Sequence, residues 1–407
     1  MSLSDALRVG AWGCAVIALS VLLASCSSRP TGVLTPTSSR QSGATTIDML
    51  VATTRAPSNS PGIVFSGERG AGVSLTSFAI SIPPNRQIGQ VQWPTRLPAN
   101  PSKDFTTISV TSLAGIGDAR GWLKQNLPKS RRVLIFVHGF NNGYEDAVYR
   151  FAQIAHDSQA EAAPVLFTWP SRGSAFAYGF DRESANFSRD ALEETIWQLS
   201  QDATVGDVTI MGHSMGAWLV MESLRQMAIR RGSLPSSIHN VILASPDIDV
   251  DVFGTQWRAM QRPDLRFTIF VSQADRALAL SRRLAGRVDR LGQLDVNSAT
   301  SFSLADKAGI TVIDLSELRG GDSLNHSKFA ESPEVVRLIG ARLVAGQVID
   351  DSDASLGERI GIAAMGVGQA VGGAAGAVIT APIVVLDPNT RRTYNDQLNQ
   401  IGRPDDY

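Results

Sequence analysis

Gly212-His213-Ser214-Met215-Gly216 is the stretch of this chain best suited to chemistry, and it has the form G-x-S-x-G. A serine hydroxyl is a weak nucleophile at its own pKa. It reacts when a base lies within hydrogen-bond reach and a third group orients that base. The pentapeptide alone is also the composition of an ordinary glycine-rich turn, so its neighbours decide between the two readings. Before it runs Asp207-Val208-Thr209-Ile210-Met211, β-branched and apolar; after it, residues 217–231 carry a helical pattern. Strand, sharp turn and helix make a nucleophile elbow, in which the serine occupies strained backbone and small neighbours let strand and helix approach. Ser214 is the expected nucleophile.

Partners of such a serine follow it in the chain, first Asp or Glu and then His. Of the five histidines, only His239 and His326 lie beyond Ser214. His239 precedes the apolar run 240–244 and so stands at the amino end of a strand, whereas sites of open parallel sheets form at the carboxyl ends. His326 lies in the polar loop Gly320-Gly321-Asp322-Ser323-Leu324-Asn325-His326, after the last strand pattern. It is the expected base. For the acid, Asp275 follows the strand pattern 266–271 and is preferred by analogy with the usual arrangement. Asp247 and Asp249, in Ser245-Pro246-Asp247-Ile248-Asp249, remain open; their bland alternative is capping and ordering a loop. An oxyanion hole needs two backbone N–H donors. Met215, next after the serine, offers one. Phe140, in His138-Gly139-Phe140-Asn141 directly after the run 133–137, offers the other. His138 reads as a structural histidine that fixes this loop. The stretch from Trp169 to Asn186, with Phe176, Tyr178 and Phe180, could form an apolar wall beside the site or pack ordinarily.

These residues need a scaffold. From residue 132, strand patterns at 133–137, 164–168, 207–211, 240–244, 266–271 and 309–315 alternate with helix patterns at 144–158, 184–199, 217–231, 252–260 and 333–343. Such alternation predicts a mostly parallel sheet with helices on both faces, an α/β fold. Upstream, residues 47–53, 73–82 and 106–111 are β-rich and predict an N-terminal β extension covering 47–115, with the α/β core over 116–347. The chain has 407 residues, 43% hydrophobic, and a net charge of −1. That is enough apolar material for a large core and gives no electrostatic case for nucleic acid. No motif calls for a metal or a cofactor, and the oligomeric state is not legible.

The two cysteines, Cys14 and Cys26, are both N-terminal, so the body has no cysteine for a disulfide or a metal site. Arg8 precedes an uncharged apolar run, 9–24, too short for a confident membrane span and shaped like a secretory signal over 1–25. Residues 26–46 are rich in Ser, Thr, Pro and Gly and read as a flexible tether. At the other end, residues 348–407 form a tail. Its stretch 360–386 is uncharged and Gly/Ala-rich, with Gly368, Gly372 and Gly376 spaced four apart. That spacing suits close helix approach in a membrane, but Gln369 and Thr380 keep the stretch weakly hydrophobic. A helix packed on protein or a mobile tail are the other readings.

Taken as an ordered set, several segments resemble a family of uncharacterised bacterial α/β-hydrolases, many of them exported or lipid-anchored. The set is His138-Gly139-Phe140-Asn141, Phe167-Thr168-Trp169-Pro170-Ser171, the Ser214 elbow, Ala244-Ser245-Pro246-Asp247-Ile248-Asp249, Ser272-Gln273-Ala274-Asp275-Arg276-Ala277-Leu278 and Asn325-His326-Ser327. The resemblance implies an α/β-hydrolase fold and a Ser214, Asp275, His326 triad that cleaves an acyl ester, the substrate being a small-molecule or lipid ester. One departure is Asn325, where family members tend to have glycine. Leu23-Ala24-Ser25-Cys26 resembles the lipobox of bacterial lipoproteins, which implies acylation of Cys26, a lipid anchor and a cell-envelope location. By the same resemblance, Ser27 implies the outer membrane, facing the periplasm. Two other readings stay open: a catalytically silent envelope lipoprotein that uses this fold to bind a lipid or protein partner, and a structural envelope lipoprotein that works through its glycine-rich tail.

Overall fold

The computed structural model describes residues 30–260, 262–295, 309–318, 321–340 and 385–386. Its strands are β1 (Thr45–Pro57), β2 (Phe65–Ile82), β3 (Thr106–Leu113), β4 (Arg132–Val137), β5 (Ala163–Thr168), β6 (Asp207–His213), β7 (Ile238–Ala244), β8 (Arg266–Val271), β9 (Ile310–Asp314) and β10 (Val385–Leu386). Its α-helices are α1 (Ile116–Asn126), α2 (Tyr144–Ser158), α3 (Tyr178–Phe187), α4 (Arg189–Ser200), α5 (Met215–Arg231), α6 (Val250–Ala259), α7 (Arg276–Leu284), α8 (Lys328–Glu331) and α9 (Pro333–Leu338).

The strands form one sheet in the order β10-β9-β8-β7-β6-β4-β5-β1-β2-β3. From β9 across to β1 every pairing is parallel. The antiparallel pairings lie at the edges, β10 with β9 on one side and β1 with β2 and β2 with β3 on the other. The period-2 alternation of strand side chains divides the core in two. Val133, Ile135 and Val137 pack with Leu192 and Ile196 of α4 and with Leu219 and Val220 of α5 on one face. Leu134 and Phe136 pack with Phe151 and Ile154 of α2 and with Val335 of α9 on the other. A strand covered on both faces needs a continuous apolar sequence, which is what β4 has. The expected α/β sheet, with helices on both faces and a β extension ahead of it, is therefore present.

The chain leaves β4 for β5 on one side, then crosses to β6 on the other. This reversal opens a crevice beyond the carboxyl ends of β4 and β6, the usual binding position in open α/β sheets.

The β extension joins the core sheet, because β1 pairs directly and in parallel with β5, Thr53 opposite Thr168. Three local features differ from expectation. The single helix expected over 184–199 is two, α3 and α4. They break at Ser188, whose hydroxyl donates to the Ser184 carbonyl at 2.8 Å and lies 2.7 Å from the Thr54 hydroxyl. A serine that satisfies itself this way competes with the helix ladder. Helices α1 and α7 are not among the expected elements, although Asp275 followed by an Ala-, Leu- and Arg-rich stretch is a capped-helix signal. Finally, the stretch read as a tether over 26–46 is docked in its described part. Val33 and Leu34 are buried in the α2-side core, and the Val33 carbonyl accepts from the Tyr149 hydroxyl at 2.7 Å. Two adjacent apolar residues in a polar segment suffice to pin it.

The expected signal, both cysteines and nearly all of the glycine-rich tail lie outside the described residues. Val385 and Leu386, at the end of that tail segment, pair with β9. Among the described residues no helix is long and apolar enough to cross a membrane.

Leu34→Ala should cost about 2–3 kcal/mol, the lower part of the range for truncating a buried leucine. Thermal denaturation reads this directly. An unchanged midpoint would mean that residues 30–44 are a free tether after all.

Candidate active site

Ser214 ends the run of β6 with φ 52° and ψ −120°, and α5 begins at the next residue. A non-glycine residue with positive φ costs on the order of 1–3 kcal/mol and persists when its surroundings over-determine it. Here they do. A Cβ at Gly212 would lie 2.6 Å from the Ala217 Cα, and one at Gly216 would lie 2.2 Å from the His138 carbonyl oxygen. Both glycines are needed for close approach, as the elbow requires. The serine's own backbone is fixed as well. Its N–H donates to the Ala244 carbonyl at 2.9 Å, and its carbonyl accepts from Asp247 N–H at 3.2 Å. Positive φ recurs at Asn141 (59°), Ser245 (46°) and Asn325 (56°), in the loops that follow β4, β7 and β9. Four of the seven non-glycine residues at positive φ among the described residues thus lie in loops at the carboxyl end of the sheet, with Arg131, Gln159 and Arg287 elsewhere.

His326 stands in the loop after β9. Its Nδ1 is 2.7 Å from Asp275 Oδ2. Asp275 is fully buried and is also the N-cap of α7, its Oδ1 accepting from Leu278 N–H at 2.9 Å. The carboxylate is therefore oriented by a helix terminus, one oxygen on the helix and the other on the imidazole. Asp322 shapes the histidine loop, accepting from His326 N–H at 2.7 Å and Ser327 N–H at 3.2 Å. Burial would lower the His326 pKa. The hydrogen bond and charge of Asp275, with Asp322 and Asp247 behind it, outweigh burial and hold it above its ordinary value. His213 links this histidine to the elbow: its ring centroid is 4.7 Å from that of His326, and its Nε2 is 3.3 Å from the His326 carbonyl.

The other acid candidates face elsewhere. Asp247 is buried, accepting from Ser281 Oγ at 2.6 Å and Tyr178 OH at 3.0 Å, with Arg290 Nε at 3.3 Å. Asp249 caps α6 through the N–H groups of Asp251 and Val252. Both hold loops together, the bland reading of the sequence. His239 lies at the amino end of β7, 2.7 Å from Asp207 and remote from the elbow.

The loop after β4 runs beside Ser214 because Val137 is in register with Gly212. His138 fixes it. Its Nδ1 donates to the Gly139 carbonyl at 2.8 Å, its Nε2 accepts from Trp169 N–H at 3.2 Å, and its ring stacks on Trp169 at 4.8 Å. Burial, reinforced by the adjacent Arg55, lowers its pKa to about 3, so it is a neutral structural group. Phe140 N–H donates to no group among the described residues. Met215 N–H occupies the first position of α5, where a helix supplies no internal acceptor. The suggested apolar wall is only partly assembled. Trp169 is wholly buried against His138, Phe176 is 99% exposed, and Tyr178 meets the Phe140 ring edge-on at 5.3 Å. Among the described residues no cluster of His, Cys, Asp and Glu could hold a metal ion.

Sequence reasoning missed three residues that border this loop: Arg55, Tyr178 as a hydrogen-bonding group, and Asp181. Nothing in the pattern marks Arg55, because strand alternation does not separate a buried arginine from an exposed one.

Among solved structures, the chain is similar to an esterase of Pyrobaculum calidifontis (12% identity, TM-score 0.32, covering 80% of this chain and 89% of that one). It is similar to fungal esterases from Rhizomucor miehei (12%, 0.33, 73% and 82%). It is also similar to a lipase-esterase related protein of Clostridium acetobutylicum (13%, 0.30, 51% and 93%). At those scores the likeness bears on neither the activity nor the substrate of this chain. No curated protein matches it. Residues 117–342, more than half of the chain, match the family described as alpha/beta hydrolase of unknown function (DUF900), and the protein belongs to that family.

Proposed function

We propose that this protein is a serine hydrolase that cleaves a carboxylic ester through an acyl-enzyme, with Ser214 as nucleophile, His326 as base and Asp275 as its orienting acid. The observation that carries the reading is the 2.7 Å contact between His326 Nδ1 and a buried carboxylate, beside a serine held at positive φ. With Nδ1–H donating to Asp275, Nε2 is the ring nitrogen left to accept a proton. Ser214 Oγ attacks the ester carbonyl carbon as its proton passes to Nε2. The carbonyl oxygen gains the negative charge and is met by Met215 N–H and Phe140 N–H. The intermediate collapses, the alcohol leaves with the proton from His326, and water repeats the sequence to release the acid and free Ser214. The substrate is a small-molecule or lipid ester.

A fluorophosphonate should label wild-type protein and not Ser214→Ala. A chain-length series of p-nitrophenyl esters should then place the acyl preference. Asp275→Asn should lower kcat by about 10⁴-fold, the effect of losing the correct tautomer in such triads, while Asp247→Asn leaves a hydrogen-bonding group in place and costs far less. Folded wild-type protein that never labels, or a severe Asp247→Asn with a mild Asp275→Asn, would overturn the assignment.

His326 must be neutral to accept the serine proton, and its pKa is raised. Activity is therefore lost as pH falls through that raised value, and the acid limb of kcat/KM should have its inflection above the 6.5 of an unperturbed imidazole. A flat profile from about pH 5 to 9 would contradict a histidine base.

The cell-envelope location belongs to the same proposal and is supported by the sequence alone. An acylated lipobox cysteine carries at least two chains, and two chains hold a membrane stably where one does not, at about 0.8 kcal/mol per buried methylene. Cys26→Ser should block incorporation of labelled fatty acid, and protein lacking residues 1–44 should be active outside the membrane fraction. Retention in that fraction would point instead to residues 348–407 as the anchor.

A further inference from the structure

Arg55 is the most heavily engaged side chain near the site that the mechanism does not use. It belongs to β1, outside the segment 117–342 that matches the family. Because Thr53 is in register with Thr168, the last residue of β5, Arg55 projects just beyond the carboxyl end of the sheet. The residue is 1% exposed. Its Nε donates to Thr168 Oγ1 at 2.9 Å. Its Nη1 donates to the carbonyls of Ser171 at 2.9 Å and Ser66 at 3.3 Å. Its Nη2 donates to the Asn142 carbonyl at 2.8 Å and lies 3.4 Å from His138 Nε2.

A buried cation is costly unless it is paired. Arg86, the other deeply buried arginine on this edge, is paired with Asp157. Among the described residues no carboxylate reaches Arg55 within ion-pair distance. Its charge is met by carbonyl oxygens and, at longer range, by the carboxylates of Glu145 and Asp181, the latter one bridge away. The Asp181 carboxylate accepts from Ser171 Oγ at 2.5 Å, Arg172 N–H at 3.1 Å and Asn141 N–H at 3.3 Å. Ser171 Oγ in turn accepts from Asn142 N–H at 3.1 Å. The arginine, the serine and the carboxylate thus take hold of three backbone groups in two consecutive residues: Asn141 N–H, Asn142 N–H and the Asn142 carbonyl. The residue just before them is Phe140. Asn141 is at positive φ, so this loop does not keep its shape by local preference and depends on these partners.

We infer that Arg55 is a positioning residue for the oxyanion hole: with Ser171 and Asp181 it fixes the backbone of residues 138–142 so that Phe140 N–H faces the reacting carbonyl. The inference rests on the serine hydrolase reading above. It makes the N-terminal extension a working part of the active site. Arginine suits the task because one planar fork serves four acceptors in fixed directions, which lysine cannot do.

The test uses the full chain with Arg55→Lys and Arg55→Met, a p-nitrophenyl ester, and an alkyl trifluoromethyl ketone. That ketone adds Ser214 to give a tetrahedral oxyanion without turning over. Both variants should lose about 10²-fold in kcat, the scale set by a misplaced oxyanion donor, with KM changed less than about threefold. Affinity for the ketone should fall in parallel with kcat. Ser171→Ala, a milder change, should show the same split at about tenfold, and it carries the test if the Arg55 variants do not fold. A folded variant with normal kcat and ketone affinity but a lowered melting temperature would reduce Arg55 to a structural role, as would a loss confined to KM. Fluorophosphonate labelling separates the two readings. Labelled wild type with unaffected variants overturns only the role of Arg55; unlabelled wild type overturns both.

Discussion

Close backbone contact between α5 and the loop after β4 is the constraint on which the rest of the site depends. At Gly216 there is no room for a β-carbon against the His138 carbonyl. That contact brings two separate chain segments, the elbow and the loop 138–142, into one rigid body. It also explains why Ser214 tolerates positive φ. The strand before it, the helix after it and the loop beside it each remove a way of relaxing, and the parallel register of β4 with β6 fixes the three together. Preorganised donors act most strongly when nothing must move as charge develops. A site built on packed backbone meets that requirement better than one built on side chains alone.

Three imidazoles lie close to the elbow, and their neighbours give them different jobs. His138 and His213 are buried and His326 is half-buried, and loss of hydration pushes each towards the neutral form. His138 faces the cation of Arg55 and is lowered further. His213 faces His326 and is also lowered. Only His326 has a carboxylate on its ring nitrogen, and only it is raised. Separation of the three comes chiefly from the carboxylate beside His326. The result is one imidazole with a raised pKa among neutral neighbours, which keeps like charge away from the proposed base.

Much of this was legible in the sequence, for identifiable reasons. The elbow could be read because its glycines and flanking periodicities are local. The core strands could be read because burial on both faces demands an apolar run, unbroken over 133–137 of β4. The choice among Asp247, Asp249 and Asp275 could not be derived from residues alone, since each follows a strand. What distinguishes them is three-dimensional: Asp275 turns one oxygen to His326, while Asp247 is taken up by Ser281, Tyr178 and Arg290. The break at Ser188 was hidden because one of its partners, Thr54, is distant in sequence. Docking of Val33 and Leu34 was missed because composition averages over a window, and two residues vanish in twenty.

The N-terminal strands show how far a functional unit can extend beyond the segment that identifies its family. Residues 117–342 contain every group proposed to touch substrate. Yet that segment lacks β1, and without β1 the parallel sheet would end at β5, with the outer edge of that strand unpaired. An exposed parallel edge beside an active-site crevice is a liability for folding and association. Strands β1 to β3 cover it, and the Val33 and Leu34 segment packs into the core beside α2. The same strand that closes the edge carries an arginine past the end of the sheet to the loop at the site. Edge protection and site geometry are thus two consequences of one pairing, Thr53 beside Thr168, and neither can be varied without disturbing the other.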